Sequence, residues 1–369
     1  MGSLENYSIV IPSYTTGPDA YREIPKFCGV YGRKAVVIGG KRAMAAAREK
    51  LLAAVRGSDI EIMDFIWYGQ ESGQAECTRG AARGLAALPA IREADMIFAV
   101  GGGKAVDTCK LVSLELGGKP YAAFPTIASN CAASSSVSIV YKEDGSFEGF
   151  VHFLDSAVHV FLDTEIMSQA PARYLWAGIG DTYAKYYEVS ISAKGEKLPH
   201  YLAMGVHMSR MCMETLVEHG EKALEDNKAG RAGYDFEQAA LAIVITTGWV
   251  SMLVAREHNM DYNGGAAHAF FYALCSLPDF DETQPNHLHG VVVGFGVLLL
   301  LMIDGREEEC RKMQEFNRRL GLPAVLSDIG VSLEEVRSVT DLIIADEDLH
   351  HYPYAVTEEM IMQALEKLQ

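Results

Sequence analysis

Three widely separated side chains could together do metal chemistry. Asp181 closes the run Gly178-Ile179-Gly180-Asp181, His268 lies in Ala266-Ala267-His268-Ala269-Phe270, and His289 immediately precedes Gly290 and a long apolar stretch. One carboxylate and two imidazoles, with a position left for water or substrate, form the ligand pattern of a catalytic divalent-ion site rather than a closed structural one. Each residue also has an ordinary reading. Asp181 could cap the helix that carries Lys185 and Glu188. His268 could be a satisfied core histidine, and Asn286 and His287, close to His289, could be solvated loop residues. Separation along the chain does not show whether the three converge.

A second constellation suits a phosphate-bearing ligand. An apolar stretch at 96–100 runs into Gly101-Gly102-Gly103-Lys104. Glycines allow close backbone approach to a pyrophosphate, and the free amides of a following helix would donate to its oxygens. The pattern is neither GxGxxG nor GxxxxGK[ST], and an ordinary tight strand-to-helix turn would look the same. Nearby, Pro125-Thr126-Ile127-Ala128-Ser129, then Asn130-Cys131 and Ser134-Ser135-Ser136, supply many short hydroxyl side chains. Their apolar flanks argue against a merely surface-exposed serine loop.

The elements that must position these residues fall into two regions. Strands are predicted at 7–11, 34–38, 60–67, 96–100 and 122–124, with helices at 18–23, 41–55 and 77–88 between them. Strands alternating with helices at such intervals predict a parallel α/β sheet over residues 1–165. From 166 to 369 the apolar spacing turns helical, at 173–189, 201–218, 236–256, 266–277, 291–303 and 307–320, predicting an all-α region. The cleft between two such domains is the default place for a ligand.

Composition limits the partners. Lys plus Arg number 32 against 49 Asp plus Glu, 32 − 49 = −17, so phosphate backbones and anionic membranes are repelled. Small-molecule substrates remain, with no nucleic acid and no membrane partner expected. Seven cysteines without CxxC pairs argue against a disulfide framework or zinc ribbon. Residues 1–15 lack the basic start and apolar core of a signal peptide, and the run at 291–303 is shorter than a membrane span. The cytoplasm is the expected compartment.

The motifs GGGKAVD, PTIAS, AGIGD, AAHA and His289-Gly290, in this order, resemble the glycerol dehydrogenase branch of the iron-containing (group III) alcohol dehydrogenases over nearly the whole chain. NCAA at 130–133 and YLWAGIGDTYAK at 174–185 are most similar to hydroxycarboxylate dehydrogenase A-type members, which reduce 2-oxo acids. The resemblance implies a dehydroquinate synthase-like fold, an α/β dinucleotide-binding domain followed by an all-α metal- and substrate-binding domain, commonly in a homo-oligomer. It implies a metal held by Asp181, His268 and His289, which would act in catalysis through that metal. His287 is the alternative for the third position. The ion expected is Zn²⁺ ahead of Fe²⁺, serving as a Lewis acid. Dinucleotide contacts carry over to Gly40, Gly101, Gly102, Gly103, Lys104, Thr126, Ser129, Ser135, Val137 and Tyr141.

Three departures from that branch matter. Cys131 stands where glycerol dehydrogenases carry a polyol-binding Asp, which removes a charge that would repel a 2-oxo acid. Phe271 replaces the family's second His, so a proton relay through it is lost, and the segment from His268 to His289 is longer, remodelling the pocket wall. Cys131 and Phe271 are thus expected to line the substrate pocket. Gly40 replaces the Asp that accepts from the adenosine ribose in many NAD-specific members, and Lys41 and Arg42 follow. NADP(H) is therefore expected ahead of NAD(H), although Lys41 and Arg42 could simply be solvated. The resulting expectation is reduction of a 2-oxo acid or oxidation of a 2-hydroxy acid, with glycerol or another vicinal diol as the alternative. A dehydroquinate synthase-like cyclase would need a basic cluster that does not follow AAHA, and a non-catalytic dinucleotide-binding protein would not need the ligand set.

Overall fold

The computed structural model describes residues 7–69, 76–255 and 260–369. The chain divides into two compact units, Met1–Thr126 with Ala132–Asp163, and Ile127–Cys131 with Thr164–Gln369.

In the first unit, six strands form one parallel sheet: β1 (Ser13–Gly17), β2 (Lys34–Gly39), β3 (Glu61–Trp67), β4 (Met96–Gly101), β5 (Tyr121–Pro125) and β8 (His159–Asp163). The order is β1-β8-β5-β4-β2-β3. β4, β5 and β8 are buried along their whole length, as strands covered on both faces must be. Helices α1 (Ile24–Cys28), α2 (Lys41–Val55), α3 (Arg79–Ala86), α4 (Pro89–Glu93) and α5 (Gly103–Glu115) lie between strands. The chain leaves β2 for β3 on one side and returns to β4 on the other. The carboxyl ends of β2 and β4 therefore flank a topological switch point, where open α/β sheets bind ligands.

Two expectations for this unit need correction. Residues 7–11 form no strand; the first strand is β1, two residues further on, held by parallel pairing with β8. The helix expected at 18–23 is a short 3-10 turn, Ala20–Glu23, leading into α1. An antiparallel hairpin, β6 (Val137–Tyr141) with β7 (Phe147–His152), was not expected. Its signal is Asp144-Gly145 between apolar runs, and Gly145 takes the left-handed φ of +86° that such a turn requires.

The second unit is helical, and among the described residues no strand follows β8. Its helices are α6 (Thr164–Ser168), α7 (Ala172–Ser192), α8 (His200–Lys228), α9 (Tyr234–Leu241), α10 (Thr247–Val254), α11 (Ala266–Leu274), α12 (His289–Ile303), α13 (Glu307–Leu320), α14 (Leu333–Ser338), α15 (Thr340–Ala345) and α16 (Glu358–Glu366). α8 runs to Lys228, past the expected end at 218. The helix expected at 236–256 is interrupted by one π turn, Ala242–Thr246, and its last predicted residue lies outside the described ones. The run Tyr234–Val254 is 21 residues long and apolar enough to cross a bilayer by composition, with mean hydropathy 1.4, yet it packs largely inside the protein. α12 is buried from Gly290 to Leu301, apolar on every side, and forms the axis of this unit.

Candidate metal centre

Asp181 lies well inside α7, whose N-cap is Pro171, so it does not cap that helix. His268 sits in the first turn of α11, and His289 is the first residue of α12. Small residues let these three helices approach closely. A Cβ on Gly180 would meet Gly290 O at 2.0 Å, and one on Gly290 would meet Ala177 O at 2.1 Å. α7 and α12 thus cross backbone against backbone beside Asp181. Gly296 plays the same part for α11, since a Cβ there would meet Ala267 Cα at 2.7 Å.

The crossing brings the three ligand candidates together. One ligand atom from each of Asp181, His268 and His289 lies within 4.8 Å of the others. His268 Nε2 is 3.5 Å and His289 Nε2 3.3 Å from Asp181 Oδ1. Phe271 stands edge-on to the His289 ring, with centroids 4.5 Å apart. His287 does not join them. It is buried, stacked on Phe280 at 4.3 Å, and its Nε2 lies 3.0 Å from Ile329 O. Phe280 comes from the lengthened segment before α12 and also reaches Phe271, with centroids 6.2 Å apart.

The electrostatics favour positive charge at this point. Burial opposes ionisation of His268, but Glu188 and Asp181 outweigh it and push the imidazole up to about 10. Burial alone would raise Asp181, yet the two imidazoles hold it well below the usual carboxylate range. Glu188, fully buried on α7, stands behind His268: its Oε2 is 2.7 Å from Nδ1, and its Oε1 accepts the His268 backbone N–H at 3.0 Å. A carboxylate and two imidazole nitrogens converging in front of a second buried carboxylate fit a divalent cation. Glu188 received no role from the sequence. Its signal was the spacing from Asp181, seven residues or two turns, which puts both on one face of α7.

Of the dinucleotide candidates in the first unit, Gly40, Gly101 and Thr126 lie together at the switch point. Gly40 is the N-cap of α2 and donates its N–H to Val100 O at 3.3 Å. Gly101 has φ +148°, and a Cβ there would lie 2.8 Å from Ala105 Cβ. Gly102 caps α5 without a side chain, leaving the first amides of Gly103 and Lys104 for a ligand. Thr126 is buried and donates its N–H to Gly101 O at 3.3 Å. The Lys104 ammonium is 2.6 Å from Glu76 and 5.2 Å from the Tyr141 ring centroid. Ser135 Oγ and Val137 O both face the buried Lys110 ammonium, at 3.4 and 2.6 Å, and that ammonium also pairs with Asp107 at 2.9 Å. The Lys41 ammonium sits 3.7 Å over the Trp67 ring. Ser129 and Cys131, both half-buried, belong to the segment that packs with the second unit, where Ala128 O would lie 2.5 Å from a Cβ on Gly178.

A family model described as iron-containing alcohol dehydrogenase matches residues 12–164. The chain is 30% identical over 342 residues to hydroxycarboxylate dehydrogenase A of Escherichia coli (strain K12), covering 91% of this chain and 89% of the relative. It is 28% identical to a glycerol dehydrogenase of Pseudomonas putida, covering 95% and 94% of the two chains. Among solved structures, the glycerol dehydrogenase of Schizosaccharomyces pombe matches with TM-score 0.82 at 22% identity, over 99% of this chain and 91% of that one, which establishes a shared fold.

Proposed function

The chain belongs to the iron-containing alcohol dehydrogenase family, and from that premise we propose that it interconverts a small 2-oxo acid and the corresponding 2-hydroxy acid. Membership makes it an oxidoreductase acting on alcohol groups, using a nicotinamide dinucleotide and a divalent metal. The ion we assign is zinc, held by Asp181, His268 and His289. The observation that carries this reading is the convergence of those ligand atoms within 4.8 Å.

A divalent ion in this position supplies Lewis acidity, which acidifies a hydroxyl or polarises a carbonyl. The protein's own groups do the rest. Asp181 contributes the negative charge that holds the ion, and the two imidazoles contribute neutral donors. Phe271, where a second imidazole would stand, shields one face of His289 and carries no proton. Gly101, Gly102, Gly103 and Lys104 would offer backbone amides to a dinucleotide pyrophosphate, with Thr126 and Tyr141 alongside.

The 2-oxo acid reading is supported by Cys131 in place of a polyol-binding carboxylate and by the similarity to hydroxycarboxylate dehydrogenase A. Glycerol or another vicinal diol is the second reading, supported by the glycerol dehydrogenase of Pseudomonas putida at comparable identity. We assign NADP(H) ahead of NAD(H) because Gly40 offers no carboxylate against a 2′-phosphate and Lys41 stands beside it. Oxidation of NADPH and NADH, each with 2-oxobutyrate, oxaloacetate, 2-oxoglutarate, glyoxylate and dihydroxyacetone, tests both assignments. Turnover of the oxo acids with NADPH preferred is expected. Turnover of dihydroxyacetone alone would replace the substrate assignment, and absence of any net cofactor change would point to cyclase chemistry instead.

A further inference from the structure

We propose that Glu188 is a positioning residue for the metal: it holds the His268 ring with its proton on Nδ1, leaving Nε2 as the nitrogen that would ligate the metal beside Asp181. This rests on the metal reading above and goes beyond the ligand set itself. Three observations carry it. Glu188 is completely buried, so its carboxylate must be satisfied within the protein. Both oxygens are committed to one residue, Oε2 at 2.7 Å from His268 Nδ1 and Oε1 at 3.0 Å from the His268 backbone nitrogen. His268 Nε2, at the opposite end of the ring, is 3.5 Å from Asp181 Oδ1.

An ionised carboxylate only accepts hydrogen bonds, so the imidazole nitrogen facing it must be the protonated one. The remaining nitrogen then presents a lone pair, which a metal ligand must do. The backbone bond fixes the carboxylate's orientation, and the carboxylate fixes the ring. Placement on α7 two turns after Asp181 ties ligand and support to one rigid helix. A carboxylate behind a metal-bound histidine also strengthens electron donation through the ring.

The isosteric variant Glu188→Gln tests this without removing volume. A glutamine amide has one accepting oxygen, but two donors face it, the His268 N–H and Nδ1–H. Its NH2 group must confront one of them, or the ring must shift its proton to Nε2, against the metal. Metal-stripped wild type and Glu188→Gln would be titrated with Zn²⁺ against a chromogenic chelator, with thermal melting of the stripped proteins as a control. Expected is about a 10–100-fold loss of zinc affinity in the variant, with the melting temperature of the stripped protein little changed. Equal zinc affinity in the two folded proteins would overturn the role of Glu188 and leave the metal assignment standing. A wild type that takes up no zinc would overturn the metal assignment itself. Should the variant not fold, long-range ¹H–¹⁵N spectra of zinc-loaded wild type labelled in histidine give the answer directly. A proton on His268 Nδ1 supports the inference, and an unprotonated Nδ1 overturns it.

Discussion

A side chain added at position 40 would meet no clash at its Cβ, because the nearest atoms, Ala43 Cβ and Tyr68 Cε1, are in ordinary van der Waals contact at 3.8 Å. Gly40 also has the extended N-cap backbone, φ −72° and ψ 143°, that suits Asp at the start of α2. Gly40→Asp should therefore fold normally and reverse cofactor preference. KM for NADPH is expected to rise by roughly tenfold or more, about 1.4 kcal/mol, while NADH turnover persists; steady-state kinetics with both cofactors check this. An unchanged preference would remove position 40 from the specificity account. At this scale, single residues carried different amounts of information in the sequence. Asp181, His268 and His289 could be picked out as ligand candidates by their residue types and the resemblance of their motifs, whereas their approach within 4.8 Å could not. Which of His287 and His289 faces Asp181 was not readable, because both precede the same apolar helix and only the packing of Phe280 on His287 separates them. Trp67 beneath Lys41 was likewise hidden, since a contact between the start of α2 and the end of β3 leaves no local pattern.

Helix crossings and strand edges set the geometry on which those residues depend. Adding a Cβ at Gly290 places it 2.1 Å from Ala177 O and 2.8 Å from Asp181 Cβ, and neither backbone can yield cheaply. Gly290→Ala should cost about 1–3 kcal/mol in stability and also weaken zinc binding, because α12 carries His289 away from α7. Denaturant melts and zinc titration together measure this, and a stable variant with undiminished zinc affinity would contradict it. In the first unit, β1 is pinned to β8 by His159, whose Nδ1 lies 2.7 Å from Ser13 Oγ and Nε2 2.8 Å from Thr15 Oγ1. The ring is fully buried and stacked on Phe27, and burial, reinforced by Lys26, holds it down at about 4. An unfolded histidine titrates near 6.5, so as pH falls from about 6.5 to about 4 the unfolded chain binds the proton first, and stability falls. The loss should approach about 3 kcal/mol near pH 4. His159→Asn should flatten that part of the pH–stability curve relative to wild type; parallel curves would exclude His159. Regular elements were legible where apolar spacing was strong, as in α2 and α13. The sheet starts at Ser13 rather than in the apolar run at 7–11, because Ser13 and Thr15 are held to β8 through His159.

Over the whole molecule, the formal charge of −17 works against an anionic substrate. A divalent ion at Asp181, His268 and His289 would offset charge locally, but the long-range field would still slow the approach of a 2-oxo acid. Raising ionic strength from about 0.01 M to about 0.15 M shortens the screening length from roughly 30 Å to roughly 8 Å. KM for a 2-oxo acid should fall over that range while KM for uncharged dihydroxyacetone stays constant, as initial rates would show; parallel changes for both would rule out electrostatic repulsion. The division into an α/β part and a helical part was legible because the apolar period changes near Asp163. That residues 127–131 pack with the helical unit was not, since it depends on Gly178 admitting Ala128 O. Every functional statement at this scale returns to one ion beside three side chains. Crystals grown with zinc and measured across its absorption edge test that most directly. One anomalous peak within bonding distance of Asp181, His268 Nε2 and His289 Nε2 is predicted, and its absence at saturating zinc, or a peak elsewhere in the second unit alone, would contradict the account.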